Sequence, residues 1–262
     1  MSSTVYSLNE EFHLRTRRGE VGRYVLMCGD PARVEKIAAY LDDPVFLKAN
    51  REYTIWNGKL EGENVTVCSH GIGGPSTAIA LEELIHCGSD TFIRIGTAGG
   101  MDPDVIGGDV VIATGAIRME GTSREYAPIE FPAVADYNIV TCLMEGAREE
   151  KARFHVGVVH NKDSFYGQHG PLTMPVKDEL VSKWHAYIDC GAMASEMESA
   201  AMFILCSTRR ARAGTVVQVL ANQTRRYLGM DDPVVMETDT AVRVGVAGLR
   251  RLILKDRADA AK

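Results

Sequence analysis

The sequence predicts an α/β fold on a largely parallel sheet, and three observations carry that reading. Short valine- and isoleucine-rich runs of strand length alternate with longer segments of helical period. Several of those runs end in glycine turns that open directly onto a helix. No Pro/Ser-rich linker, charge block, internal repeat or low-complexity tract interrupts the 262 residues, so one domain over 1–262 is expected.

The elements follow in order. "RYVLMCGD" (Arg23–Asp30) reads as a buried strand ending in a glycine turn, with "PARVEKIAAYL" as the helix behind it. "NVTVCSHGIGG" (Asn64–Gly74) repeats the plan. Its helix is "PSTAIALEELIHCG", where Pro75 suits the first turn and Gly88 the stop. "TFIRIGTAGG" (Thr91–Gly100) is a third strand. Gly108–Met119, Phe154–Phe165 and Gly214–Gln223 complete the set, with helices expected over Ala133–Lys151, Val176–Ile188, Met197–Arg210 and Met236–Lys255. In such sheets ligands collect beyond the carboxyl ends of the strands. That rule selects the loops "CGDPAR", "SHGIGGPS", "RIGTAGG", "KDSFYGQH", "SEMESAA" and "LANQTR".

Bulk composition narrows the classes. A net charge of −6 argues against a protein that coats nucleic acid or anionic membrane, while leaving room for a local basic pocket. No apolar run is long enough to span a bilayer, and the N-terminal stretch lacks the apolar core of a secretory signal. A cytoplasmic location is therefore expected. The six cysteines form no C-x-x-C and mostly sit in apolar runs, which reads as buried reduced thiols rather than disulfides or a thiolate metal site.

Chemistry concentrates in the loops. In "GDPARV", Gly29 lets backbone N–H groups approach an anion at a helix start, and Arg33 offers a fork for phosphate oxygens; Arg33 reads equally as a solvated partner of Asp30 or Glu35. Arg94 lies in an otherwise apolar strand, where an unpaired cation is costly, so it must be paired. An anion shared with Thr97, or one of the chain's own carboxylates, would serve. Arg51, taken alone, is a surface arginine. In "DSFYGQHG" an aromatic, Phe165, and an amide, Gln168, could stack on and read a planar heterocycle, or could simply form a turn. His13, His70 and His169 lack metal-ligand spacing and read as structural or solvated. Glu196 and Glu198 share a face if extended, but point about 200° apart if helical. They could be a catalytic pair, a metal site or a polar helix start. No Walker A loop, G-x-G-x-x-G or G-x-S-x-G occurs.

Taken together, "GDPARVEKIA", "REYTIWNGKLEG", "CSHGIGGPSTAIALEEL", "FIRIGTAGG", "IEFPAVAD", "DSFYGQ" and "SEMESAAMF" resemble the uridine phosphorylase branch of the nucleoside phosphorylase-I family. The seven segments run in family order from about Phe12 to the final helix. The resemblance implies a three-layer α/β/α sandwich with a central mixed, largely parallel sheet. It implies phosphorolysis of uridine by orthophosphate to uracil and ribose 1-phosphate, in pyrimidine salvage, with no organic cofactor. Carried over by position, Gly29, Arg33, Arg94 and Thr97 hold phosphate, joined by Arg51 of a neighbouring subunit. Met197 and Glu198 hold the ribose, with His13 from the neighbour. Arg94 and Glu198 carry the catalysis. Phe165 and Gln168 hold the base, with Glu196 in a supporting part. Glu52, Ile72 and Ser76 match positions that bind a monovalent cation, K+, between paired subunits in some relatives. The branch is usually a homo-hexamer built from dimers.

One departure stands out. Two arginines common in this branch, one in the base loop and one after the late asparagine, are replaced by Gly170 and Gln223, and the base loop is one residue shorter. His169 and Gln223 are expected to take over at the uracil O4, with Arg225 and Arg226 close by. Alternatives are a phosphorylase for thymidine, deoxyuridine or a purine nucleoside, and a catalytically silent nucleoside-binding protein. "LANQTR" lacks the aspartate that purine enzymes of this family place there, and a silent relative would have lost Arg33, Arg94 or Glu198.

Overall fold

In the computed structural model, which describes residues 10–261, the run YVLMC becomes β1 (Tyr24–Cys28) and is buried along its whole length. The first nine residues of the stretch read for a secretory signal lie outside the described residues. Alternation accounts for the burial of β1. Val25 and Met27 enter one core, and Tyr24, Leu26 and Cys28 enter a second on the opposite face.

The chain continues through α1 (Pro31–Ala38), β2 (Asp42–Asn50), β3 (Tyr53–Leu60), β4 (Glu63–Ser69), α2 (Gly74–Cys87), β5 (Thr91–Gly100) and β6 (Val110–Met119). Next come α3 (Thr122–Tyr126), β7 (Ala133–Val134), α4 (Tyr137–Glu149), β8 (Phe154–Lys162), α5 (Phe165–His169) and α6 (Lys177–Asp189). β9 (Ala194–Glu196), α7 (Ser199–Thr208), β10 (Arg212–Asn222), α8 (Gln223–Tyr227) and α9 (Asp239–Ala260) complete it. Helices α1, α4 and α9 cover one face of the sheet and α2 and α7 the other, which gives the expected three layers.

The sheet is mixed, and β5 is its pivot. On one side β5 pairs in parallel with β1, which pairs in parallel with β4; β3 and β2 follow as an antiparallel ribbon. On the other side β5 pairs with β10, β10 with β6, β6 with β8, β8 with β9, and β9 returns to β5. Half the sheet is therefore open, and half closes into a five-stranded ring that β5 also completes.

Several boundaries differ from expectation for local reasons. The helix expected from Ala133 begins at Tyr137, because Asp136 caps it by accepting the Ile139 N–H at 3.0 Å, while Ala133–Val134 pair with β6. The helix expected from Met197 begins at Ser199. Gln223, read as a strand end, opens α8 behind an Asn222 cap. The β2–β3 ribbon was absent from the expected strands; β2 is mostly exposed, polar and proline-bearing, and so lacks the apolar signature of a core strand. Five of the six cysteines are buried, Cys190 is exposed, and all are unpaired.

Candidate active site

A cleft of about 1970 Å³ opens beyond the carboxyl ends of the strands. It collects Gly29 after β1, Arg94 and Thr97 on β5, Lys162 at the end of β8, the Phe165–Gly170 turn, Ser195–Glu198, and Gln223.

Arg94 is the electrostatic centre. It is 4% exposed and lies on the same face of β5 as Phe92, towards α2 and α7. One guanidinium nitrogen donates to Glu198 and lies 3.6 Å from Glu196. The pairing by the chain's own carboxylates is thus realised, but it uses only part of the fork. Nε and Nη1 are buried without a hydrogen-bond partner among the described residues. Uncompensated buried donors of a cation call for an acceptor from outside the chain. The guanidinium presses on Gly96 so closely that a Cβ there would lie 2.1 Å from Nη1.

The two glutamates are held apart by two different helices. Glu196 accepts the N–H groups of Glu198 and Ser199 at 2.9–3.1 Å, so its carboxylate caps α7. Glu198 accepts the N–H of Gly73, at 2.7 Å, from the start of α2. Burial opposes ionisation of Glu198, but Arg94 and that N–H outweigh it and hold its carboxyl below the usual range. Burial and the neighbouring Glu198 charge push Glu196 up, although Arg94 works the other way. His70 behind them is fully buried and driven down to about 4 by burial, hence neutral at physiological pH. Its Nδ1 lies 3.1 Å from Thr77 Oγ1.

Arg33, half-buried, donates to the Ile95 carbonyl at 3.3 Å, and among the described residues no carboxylate pairs with it. Phe165 is half-exposed and lies 4.3 Å, centroid to centroid, from His169. Gln168 and Gln223 clasp one another: Gln168 Nε2 donates to Gln223 Oε1 at 3.3 Å, and Gln223 Nε2 to the Gln168 carbonyl at 3.2 Å. Glu52, Ile72 and Ser76 border the same cleft, with Ser76 Oγ 2.8 Å from Glu52. Two residues stand outside it. His13 is fastened to Glu83 through its backbone N–H and Nδ1, the latter at 2.7 Å, and Arg51 sits exposed in a turn with φ +54°.

The structure also brings in residues that the sequence reading passed over. Lys162, 6% exposed, donates to Ser195 Oγ at 2.9 Å; Ser195 donates to Gln168 Oε1 at 2.6 Å; and His160 Nδ1 lies 3.0 Å from the same hydroxyl. Period-two parity could have found them, since residues 160 and 162 of one strand share a face. Asn161, on the other face, caps α7 through Ala200 at 2.6 Å. Among the described residues no helix is long and apolar enough to cross a membrane.

The cleft thus gathers a buried cation with free donors, a fixed carboxylate, and an amide pair beside an aromatic. Groups of these kinds can hold an anion, hydroxyls and a flat heterocycle. The family described as the phosphorylase superfamily matches residues 23–251. A uridine phosphorylase of Treponema pallidum is 54% identical over 252 residues, which span 96% of this chain and 98% of that protein. The uridine phosphorylase of Escherichia coli is 41% identical over 256 residues, 94% of this chain and all of its own length. A guanosine phosphorylase of Halorubrum lacusprofundi is 41% identical over 210 residues, covering 80% and 83%. With a family match over most of its length and relatives this similar end to end, the chain belongs to the phosphorylase superfamily.

Proposed function

We propose that this chain catalyses the reversible phosphorolysis of uridine, giving uracil and ribose 1-phosphate. The observation that carries the reading is Arg94, buried and pinned by Glu198, with Nε and Nη1 lacking any partner among the described residues. Phosphate fits those donors, and Gly29, Arg33 and Thr97 border the same cleft. Glu198, held ionised, takes the ribose hydroxyls beside Met197. There it stabilises the positive charge that grows on the sugar as the glycosidic bond loosens. Phosphate, its charge balanced by arginine, is then aligned beneath the anomeric carbon, and proximity supplies much of the acceleration. Phe165 stacks on the base, while Gln168 and Gln223, with His169, read its edge and receive its negative charge.

His13 and Arg51 point to a shared site. Both lie outside this chain's cleft, as residues lent to a neighbouring copy would, and a homo-hexamer of dimers meets that need. Glu52 and Ser76 offer a carboxylate and a hydroxyl 2.8 Å apart, and Ile72 can add only its backbone carbonyl. This all-oxygen set with a single carboxylate per chain suits a monovalent cation such as K+ between paired copies. The chain then serves pyrimidine salvage in the cytoplasm.

A sister specificity for another nucleoside has one observation in its favour: neither of the two arginines common in the branch, in the base loop and after the late asparagine, is present. One assay separates the readings. Uridine, thymidine and inosine are each incubated with and without phosphate, and free base is followed. Uracil released from uridine only with phosphate is expected. Release without phosphate, or from inosine alone, would refute the proposal.

A further inference from the structure

Resting on the uridine reading, we infer that Ser195 is a positioning residue that sets base specificity: its hydroxyl, held by His160, fixes the Gln168 amide in the one direction that accepts uracil and rejects cytosine. The directions of the hydrogen bonds can be read in turn, starting from a group that has no choice. The backbone carbonyl of Gln168 only accepts, so the Gln223 amide must offer it Nε2, at 3.2 Å. Gln223 then turns Oε1 towards the side chain of Gln168, which meets it with Nε2 at 3.3 Å. That leaves Gln168 Oε1 facing Ser195, and the serine hydroxyl gives it its one hydrogen, at 2.6 Å.

Two lone pairs of Ser195 Oγ remain. The Lys162 ammonium can only donate, and takes one at 2.9 Å. His160 Nδ1, 3.0 Å away, must therefore fill the other as a donor, so it carries the ring proton. Burial pushes this imidazole down to about 3 and keeps it neutral, which leaves Nε2 bare. Nε2 faces Met119 Sγ at 3.5 Å, a sulfur that already receives the Tyr187 hydroxyl. With the proton on Nε2 instead, Ser195 would donate to His160, and Gln168 would have to present its N–H groups to the serine. The tautomer of one side chain and the direction of the other are thus a single choice. His160, Ser195 and Gln168 are all buried, and all border the cleft.

Once Ser195 and Gln223 are served, the Gln168 amide keeps one N–H and one lone pair. Uracil carries N3–H between two carbonyl oxygens. Its N3–H can donate to Oε1 while a neighbouring carbonyl accepts from Nε2. Cytosine has a bare N3 and an amino group at C4, and matches such an amide only if the amide turns over. Beside a fixed amide its N3 lone pair meets that of Oε1, and a site whose buried polar groups are left unpaired rejects the ligand.

Two measurements test this. Calorimetric titration without phosphate gives the affinities for uridine and cytidine with no turnover. Wild type should bind uridine at least about 100-fold more tightly than cytidine. In Ser195→Ala the amide loses its 2.6 Å bond and can turn, so the preference should fall below about tenfold. Ser195→Thr, which keeps the hydroxyl, should restore it. A merely structural disturbance would weaken both nucleosides alike, and an unchanged preference in Ser195→Ala would overturn the proposal. Nitrogen-15 NMR of the ligand-free wild type, with the His160 signals identified by their absence from His160→Phe, should show the proton on Nδ1. A proton on Nε2 would overturn the proposal whatever the variants do. A wild type that releases no uracil from uridine with phosphate would instead overturn the uridine reading, and the tautomer, measured without ligand, tells the two failures apart.

Discussion

Replacing Arg94 by methionine removes the cation that Glu198 and Glu196 share, with little change of volume. Both carboxylates are almost wholly buried, and the remaining N–H groups at the starts of α2 and α7 carry only partial charge. Breaking a buried pair from one side costs about 3–5 kcal/mol. For a chain of this size that corresponds to a fall in melting temperature of roughly 6–20 °C. The sign of the pH dependence follows from the carboxyls. In the wild type Glu198 sits below its ordinary value, so its contribution is present above the ordinary carboxylate pKa and is lost as pH falls through the lowered one. Without the guanidinium, burial raises both carboxyls; stability is then full below the ordinary value and is lost as pH rises through the raised one. The gap between variant and wild type should therefore widen from about pH 5 to pH 8. Calorimetry at both pH values measures it. Arg94→Met combined with Glu198→Gln should regain part of the stability at pH 8 and remain inactive. An Arg94→Met protein that melts like wild type at pH 8, or that keeps its dependence on phosphate, would refute this account of the site.

Gly96→Ala should leave the fold in place but raise the KM for phosphate at least tenfold, by roughly the loss expected for a misdirected anion donor, because the new Cβ would stand 2.1 Å from Arg94 Nη1. Phosphate titration of initial rates checks this. Asp256→Ala should lower stability by about 1–3 kcal/mol with kinetic constants unchanged, since Asp256 accepts from Tyr24 at 2.9 Å and from Arg212 at 2.8 and 2.5 Å, and so ties α9 to the sheet far from the cleft. Although burial opposes it, the Arg212 and Tyr24 hydrogen bonds hold the Asp256 carboxyl low, so this contribution is present above the ordinary carboxylate pKa and disappears as pH falls through the lowered value. Urea denaturation at pH 7 and at pH values stepped down through the lowered one tests it.

The six core strands were legible because each is covered on both faces, which writes a continuous apolar run into the sequence. The ribbon β2–β3 was not, since an edge needs only one covered face. β9, three residues long, leaves no pattern at all, yet it closes the ring and aims Ser195 at His160 and Glu196 at α7. Arg94 announced itself, because a cation in an apolar strand demands an explanation. Lys162 hid by standing at a strand end, where a lysine ordinarily reaches solvent. Only the fold shows that Ser195 of β9 meets it there, with Gln168 of α5 behind, and that this end of the strand is interior. The roles of Glu196 and Glu198 could not be separated by spacing alone, because each is fixed by a helix that begins elsewhere in the chain.

The position of β5 has a consequence for how such a protein can change. Hydrogen-bonded to β1, β10 and β9, this strand is paired on both sides, so Arg94 and Thr97 are carried by a strand held from either edge. The other end of the cleft rests on α5 and α8, five residues each, joined chiefly by two amides. Reactivity and selectivity are thus built from materials of different rigidity. Substitutions in the soft half can retune which heterocycle is accepted without disturbing the anion cradle. A lineage could exchange bases this way many times while never rebuilding its chemistry.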